Sequence, residues 1–284
     1  MIYLLKSMRP EQWIKNVVVF AGLAFSENLL RPWMFSLSLW AFFIFILASG
    51  AAYIINDVLD READKLHQAK SKRPIAAGKL AVIPACIIAF VIAVWALLLA
   101  YHLGLKFGLI ISAYLAVNLA YSFYLKNVVI VDVLVIAIDF VLRVIGGVVI
   151  LGIPPTPWII IATIFLSLLI ALCKRRQEIV LLKSDAALHR EILTSYPVFF
   201  LDQLINFSAV GVVFSYILFS GISGKDINLM YTTIFVIYGV MRYLYLIYVE
   251  NKTFLPTEAI AKDRPLQVCV LAWVISVVAV LYLR

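Results

Sequence analysis

Asn56, Asp57, Asp60 and Asp64 fall within nine residues, in the run N-D-V-L-D-R-E-A-D. Lys65, Lys70, Lys72 and Arg73 follow, the last three within K-S-K-R-P-I-A-A-G. If the segment stays helical, the three aspartates stand at i, i+3 and i+7 and share one face. Three like charges that close repel one another unless a cation sits among them. Mg²⁺ takes oxygen ligands and is often held by one or two carboxylates plus substrate phosphates. Asn56, Asp57, Asp60 and Asp64 are therefore candidate metal ligands, and Lys70 and Arg73 candidate phosphate ligands. A solvated charged loop between two membrane helices is the plainer reading of the same residues.

The elements that must position this stretch are membrane helices. Of 284 residues, 64% are hydrophobic and 14% charged, with a mean hydropathy of +1.03. A soluble globular domain does not have that composition. The formal charge of +8 reads as membrane topology rather than nucleic-acid binding, because basic residues collect on the cytoplasmic side. Cys86, Cys173 and Cys269 lie apart in apolar runs, which favours neither disulfides nor a zinc site. The N-terminal run M-I-Y-L-L-K-S-M-R-P lacks a long apolar core, so the first membrane helix is expected to be retained.

Apolar runs predict an all-α, polytopic bundle of nine transmembrane helices in one domain, 1–284. The first span, Trp13 to Leu30, is marginal and carries Lys15 and Asn16. Lys15 either snorkels to the headgroups or faces inward toward an anionic substrate. The second, Trp33 to Ile55, delivers Tyr53 and the acidic motif at its end. Leu80 to Tyr101 and Leu105 to Leu125 follow, the latter ending in Tyr121, Tyr124 and Lys126. The fifth, Val128 to Ile150, holds Asp132, Asp139 and Arg143 on one narrow face. Ionisable groups inside a membrane usually face the bundle interior or a cavity. Arg143 either forms a structural i, i+4 ion pair with Asp139 or reaches a phosphate. Gly146 and Gly147 predict a close helix approach. The sixth span, roughly Trp158 to Cys173, leads into Lys174, Arg175, Arg176 and Glu178. Leu181, Leu182 and Leu188 in the polar segment after it could lie on the membrane. Spans at Val198 to Phe219, Ile227 to Val249 and Leu266 to Leu283 complete the set.

Charge asymmetry orients the bundle. With the N-terminus cytoplasmic, eighteen lysines and arginines lie inside and four outside, with Arg143 and Arg242 within spans. The acidic motif, Lys126, the K-R-R-Q-E run and the K-D-R-P run then share the cytoplasmic face.

N-D-V-L-D-R-E-A-D followed by K-S-K-R-P-I-A-A-G resembles the first aspartate-rich signature of the UbiA superfamily of membrane prenyltransferases. Most members carry a second D-x-x-x-D after the sixth span, where this chain has Lys174-Arg175-Arg176-Gln177-Glu178. With R-P-E-Q-W-I-K-N, Y-S-F-Y-L-K-N near Asp132, F-V-L-R at Phe140 to Arg143 and K-D-R-P, the pattern is similar to the decaprenyl-phosphate phosphoribosyltransferase branch. His67-Gln68-Ala69-Lys70 departs from the branch's usual H-P-x-K. The resemblance implies Mg²⁺-dependent transfer of 5-phosphoribose from phosphoribosyl pyrophosphate to a polyprenyl phosphate, in a bacterial-type plasma membrane with a cytoplasmic site. It implies Asp57, Asp60 and Arg143 as catalytic, with Lys15, Tyr53, Asn56, Lys70, Arg73, Tyr121, Lys126, Lys174 and Arg175 at substrate. Lipid phosphate is already ionised, so no triad is required, and His67, His102 and His189 read as interface residues. An aromatic prenyltransferase with a polyprenyl diphosphate donor and a transporter are the alternatives. The missing second aspartate motif counts against the first, and the absence of paired broken helices against the second.

Overall fold

The computed structural model describes residues 2–66, 70–182, 192, 195–222, 224, 226–250 and 262–283. His67, Gln68, His189 and the polar run after Leu182 lie outside that set. The chain divides into two compact units, Met1–Pro155 with Ala187–Ile192, and Thr156–Ala186 with Leu193–Arg284. Every regular element among the described residues is helical.

The first unit contains α1 (Ile2–Ser7), a 3₁₀ helix (Pro10–Phe20), α2 (Ala21–Phe25), α3 (Pro32–Leu59) and α4 (Arg61–Leu66). It continues with α5 (Val82–Leu103), α6 (Leu105–Phe123) and α7 (Val131–Val149). α3 opens on Pro32, where a missing N–H removes no helical bond. α5 shows how the pattern divides lipid from protein. Ile83, Ile87, Phe90, Trp95 and Leu98 form an exposed apolar stripe, while Ala85, Ala89, Ala96 and Ala100 are buried on the other side. Small side chains let neighbouring backbones approach, and Ala96 and Ala100 pack with Ala41, Ile44, Phe45 and Ala48 of α3. Phe45 meets Phe107 and Tyr114 of α6 edge-on, at 6.1 and 5.4 Å between ring centroids. Gly104 alone joins α5 to α6, at φ 149°, a conformation that favours glycine.

The second unit contains α8 (Pro157–Leu182), α9 (Val198–Ile222), a 3₁₀ turn (Ile227–Thr232), α10 (Thr233–Tyr248) and α11 (Arg264–Tyr282). α8 packs along α9, and α10 along α11. Asp263 caps α11 by accepting from the Leu266 N–H at 2.9 Å. The same carboxylate receives Arg242 in two bonds, Nε at 3.1 Å and Nη2 at 2.6 Å.

Seven helices among the described residues are long and apolar enough to cross a membrane. The other two expected spans are present in altered form. α7 carries Asp132, Asp139 and Arg143, too many charges to read as apolar. The first span is not a continuous α-helix but the 3₁₀ helix followed by α2, five residues long. A 3₁₀ helix rises about 2.0 Å per residue, so this stretch reaches further than the same length of α-helix. Its backbone is closely approached at Gly147, where an added Cβ would be driven into the Val19 carbonyl. At Gly146 a Cβ would lie 2.8 Å from Phe45 Cε2. The close approach expected of this glycine pair is present, and it is made to the 3₁₀ backbone as well as to α3.

Candidate functional site

Asp57 lies in the last turn of α3 and is 2% exposed. Its Oδ1 accepts from Arg9 Nη2 and, at 3.1 Å, from Arg73 Nη1. Arg73 Nη1 also donates to Asp64 Oδ2 at 2.6 Å. One cation thus bridges two buried carboxylates.

Local sequence sets both arginines. Pro74 follows Arg73 and starts a single tight turn, with the Ala77 N–H returning to the Arg73 carbonyl at 2.8 Å. Gly78, at φ 71°, ends that turn. Ile75 is fully buried among Met8, Ile54, Ala85 and Ala89, which anchors the turn against α3 and α5. Arg9 has a left-handed backbone, φ 52° and ψ 70°, uncommon for a residue with a Cβ. Met8 is buried in the same cluster, so Arg9 turns back over the Tyr53 ring, 4.9 Å from its centroid. Arg9 was not among the expected site residues. Its sequence signal is its place at the head of R-P-E-Q-W-I-K-N, 48 positions from its partner.

Asp60 does not share the partners of Asp57 and Asp64. α3 ends at Leu59 and α4 begins at Arg61, with Asp60 between them at φ −87° and ψ 5°. The expected uninterrupted helix is therefore two helices separated by one residue, although the Asp64 N–H still returns to the Asp60 carbonyl at 2.8 Å. Asp60 Oδ1 accepts from Lys126, and its Oδ2 from Asn56 Nδ2 at 2.9 Å. Asn56 Oδ1 accepts from the Ser122 hydroxyl at 3.3 Å. The 3₁₀ turn Leu125–Asn127 places Lys126, and Ile130 ends the connection at φ 69° before α7 begins. Tyr121 is half-buried in the preceding turn of α6. Lys70 opens the short 3₁₀ turn Lys70–Lys72, and its carbonyl accepts from the Arg73 N–H at 2.9 Å.

Arg143 occupies a different setting. It is 3% exposed, and each of its nitrogens donates to an acceptor of the chain. Nε donates to Asn16 Oδ1 at 2.8 Å, Nη1 to the Asp139 carbonyl at 2.8 Å and Nη2 to the Tyr114 hydroxyl at 2.6 Å. The Asp139 carboxylate turns instead to Asn118 Nδ2 at 2.8 Å. The expected i, i+4 side-chain pair is thus replaced by a bond to the Asp139 backbone, because Asn16 and Tyr114 draw the guanidinium across the bundle. Lys15 is half-buried in the 3₁₀ helix and acts electrostatically on Asp139. Asp132 is fully buried at the start of α7.

In the second unit, Lys174 and Arg175 lie in α8. Arg175 is buried and donates from Nη1 to Glu178 at 2.9 Å, while Lys174 is exposed, 3.8 Å from the same carboxylate. Arg176 donates from Nε to Asp202 at 2.6 Å. On the open surface, Lys65 bonds Glu62 at 2.8 Å and holds its carboxyl below the ordinary value.

Among the described residues, no three His, Cys, Asp or Glu side chains converge as a ready metal cage. Asp57 and Asp64 nevertheless each keep one carboxylate oxygen that accepts no hydrogen bond from the described residues. A cation already sits between them, in the form of Arg73 Nη1. Two hard oxygens beside a bridging cation fit Mg²⁺ bound by two carboxylates and completed by phosphate oxygens. Asp60 has both oxygens engaged, so it fits as a support rather than as the first ligand.

The family model for the UbiA prenyltransferase family matches residues 16–254. The decaprenyl-phosphate phosphoribosyltransferase of Mycolicibacterium smegmatis is 32% identical, over 98% of this chain and 92% of that protein. The protein of the same name from Mycobacterium tuberculosis is 35% identical, over 96% and 92%. The structure of a UbiA homolog from Archaeoglobus fulgidus bound to GPP and Mg²⁺ superposes with a TM-score of 0.74, over 98% of this chain and 99% of that one, at 20% identity. The last is a likeness of fold, and the first two are likenesses of sequence along nearly the whole chain. Taken with the family match, they show that this multi-pass membrane protein belongs to the UbiA prenyltransferase family.

Proposed function

We propose that the protein transfers 5-phosphoribose from phosphoribosyl pyrophosphate to a polyprenyl phosphate. The anomeric C1–O bond to diphosphate breaks, and a bond forms from a lipid phosphate oxygen to C1. The products are polyprenylphosphoryl-5-phosphoribose, a precursor of lipid-linked arabinofuranose, and diphosphate. The observation that carries this reading is the pairing of Asp57 and Asp64 through Arg73, beside Arg9 and Lys126. Carboxylates and cations in one cluster suit a metal-bound diphosphate, and the named relatives supply the substrate class.

Asp57 and Asp64 would hold Mg²⁺, with Asn56 and Asp60 in support. Charge neutralisation at the departing diphosphate is what the metal supplies there. Arg9 and Arg73 lie beside those carboxylates and can turn their remaining donors to phosphate oxygens. Lys126 brings a point charge on its own short turn, and Lys70 extends the basic edge. Tyr53, under Arg9, orients that guanidinium. Tyr121 and Lys15 remain secondary candidates for substrate contact. Arg143 acts as a positioning residue by tying the 3₁₀ helix to α6 and α7. No step needs a general base, because the attacking oxygen belongs to an ionised phosphate. The site would face the cytoplasm of a bacterial plasma membrane, as the charge asymmetry implies.

The direct test combines purified protein, Mg²⁺, labelled phosphoribosyl pyrophosphate and polyprenyl phosphates of several lengths. A labelled lipid with release of diphosphate is expected. Its absence at every lipid length, with the protein folded, would sink the proposal.

A further inference from the structure

Arg176 is held differently from every other arginine in the second unit whose contacts are described. Its Nε donates to Asp202 Oδ1 at 2.6 Å, and the Tyr248 hydroxyl donates to the same oxygen at 2.8 Å. Its guanidinium carbon lies 4.2 Å from the centroid of the Tyr248 ring. One edge and one face of the guanidinium plane are therefore fixed, by residues from α9 and α10. Its two Nη nitrogens make no hydrogen bond or ion pair among the described residues. Neither is a buried atom lacking a partner, so both are open to a ligand.

Two neighbours show the alternatives. Arg242 serves as a latch: Nε and Nη2 both bond Asp263, so the fork closes on its carboxylate. Arg175, next in sequence, is 3% exposed and bonds Glu178 through Nη1. Only Arg176, among these three, is anchored through Nε with its fork left open. A guanidinium fork matches the oxygens of a phosphate in two parallel bonds. Stacking and the Nε bond reduce the rotamer freedom lost on binding, which favours affinity. Lys174, Arg175 and Arg176 also outnumber Glu178 and Asp202, leaving the cluster cationic.

We propose that Arg176 is a phosphate-binding residue, oriented by Asp202 and Tyr248 to present its Nη fork to a phosphate monoester or diphosphate. This rests on the phosphoribosyl-transfer reading. It moves the anion-binding role within the K-R-R-Q-E run from Lys174 and Arg175 to their neighbour. The phosphate belongs either to the sugar donor or to the lipid acceptor.

The test is equilibrium binding to the full-length protein in nanodiscs, with phosphoribosyl pyrophosphate and polyprenyl phosphate titrated separately. R176Q is expected to weaken at least one ligand by roughly tenfold to a hundredfold, with its unfolding temperature unchanged. The ligand that weakens identifies the source of the phosphate. R176K, which keeps the charge but lacks the fork, should show the same loss, and it carries the test if R176Q does not fold. Y248F keeps the stacking face and should bind within a few-fold of wild type. Binding of both ligands by R176Q or R176K as tightly as by wild type would overturn the assignment. So would a loss that appears only together with a fall in unfolding temperature. Wild-type protein that binds neither ligand would overturn the transferase reading and this one with it.

Discussion

The first unit contains two polar clusters that look alike in sequence and differ in structure. Around Asp57, formal charges meet formal charges, and several donors and acceptors remain unengaged among the described residues. Around Arg143, the guanidinium meets an amide, a phenol and a backbone carbonyl, and all three of its nitrogens are engaged. The first arrangement can exchange one cation for another and accept an anion. The second can do neither without breaking bonds buried among helices. Both carry aspartate and arginine near helical spacing, so residue type alone does not distinguish a ligand site from a brace. What distinguishes them is the remaining hydrogen-bonding capacity.

The strongest way to break that comparison is D57N. It should lower phosphoribosyl transfer on the order of a thousandfold, measured with labelled donor at saturating Mg²⁺, while the folded protein persists. Retained activity would place the metal elsewhere. R143M should act in the opposite sense, on stability first. It removes three bonds to a charged donor and should cost roughly 2–3 kcal/mol, seen as a lower unfolding temperature in detergent. A variant that unfolds like wild type yet binds donor poorly would turn the brace into a ligand site. G147A presses a methyl into the Val19 carbonyl. It should destabilise by about 1–3 kcal/mol, measured the same way, with KM unaltered in the folded fraction. K126A should raise KM for the phosphoribosyl donor about tenfold, a change of roughly 1.4 kcal/mol, with K126R recovering most of it.

The smallest effect is expected at the exposed pair. Lys65 keeps the Glu62 carboxyl below its ordinary value. Any stability this adds is present above the unfolded pKa and lost as pH falls through the folded one. Glu62 is open to water, where screening leaves such pairs little weight. The unfolding temperatures of E62Q and wild type should therefore stay together from about pH 7 to about pH 4.

Much of this was legible in the residues. Apolar runs located α3, α5, α6 and the four long helices of the second unit, because lipid and protein both select apolar side chains there. K-S-K-R-P-I-A-A-G located Arg73, because proline and glycine bracket one turn and Ile75 anchors it. Other features needed the fold. The engagement of Asp60 depends on Lys126, and that lysine lies 66 residues away. Arg9 reaches Asp57 only because Met8 is buried beneath Gly50, where an added Cβ would lie 2.7 Å from Met8 Cε. The Val19–Gly147 contact joins residues 128 positions apart and is not written in the local sequence of Pro10–Phe20.

That contact also orders the making of the protein. Residues 10–25 leave the ribosome long before residues 143–147 do. Eleven residues of 3₁₀ helix and five of α-helix span together about 30 Å, enough for the hydrocarbon layer but without an α-helix's internal bonding. α3 already meets this segment, through Ser49 for Asn16 and through Phe35 and Phe42 for Phe20, and α7 adds Arg143 for Asn16 and Gly147 for Val19. This early segment is therefore completed only when α7 is in place. A nascent chain halted before Arg143 should leave residues 10–25 more open to protease than they are in the full-length protein. The contacts of Arg143 with Asn16 and of Gly147 with Val19 come into being only after half the chain has been made.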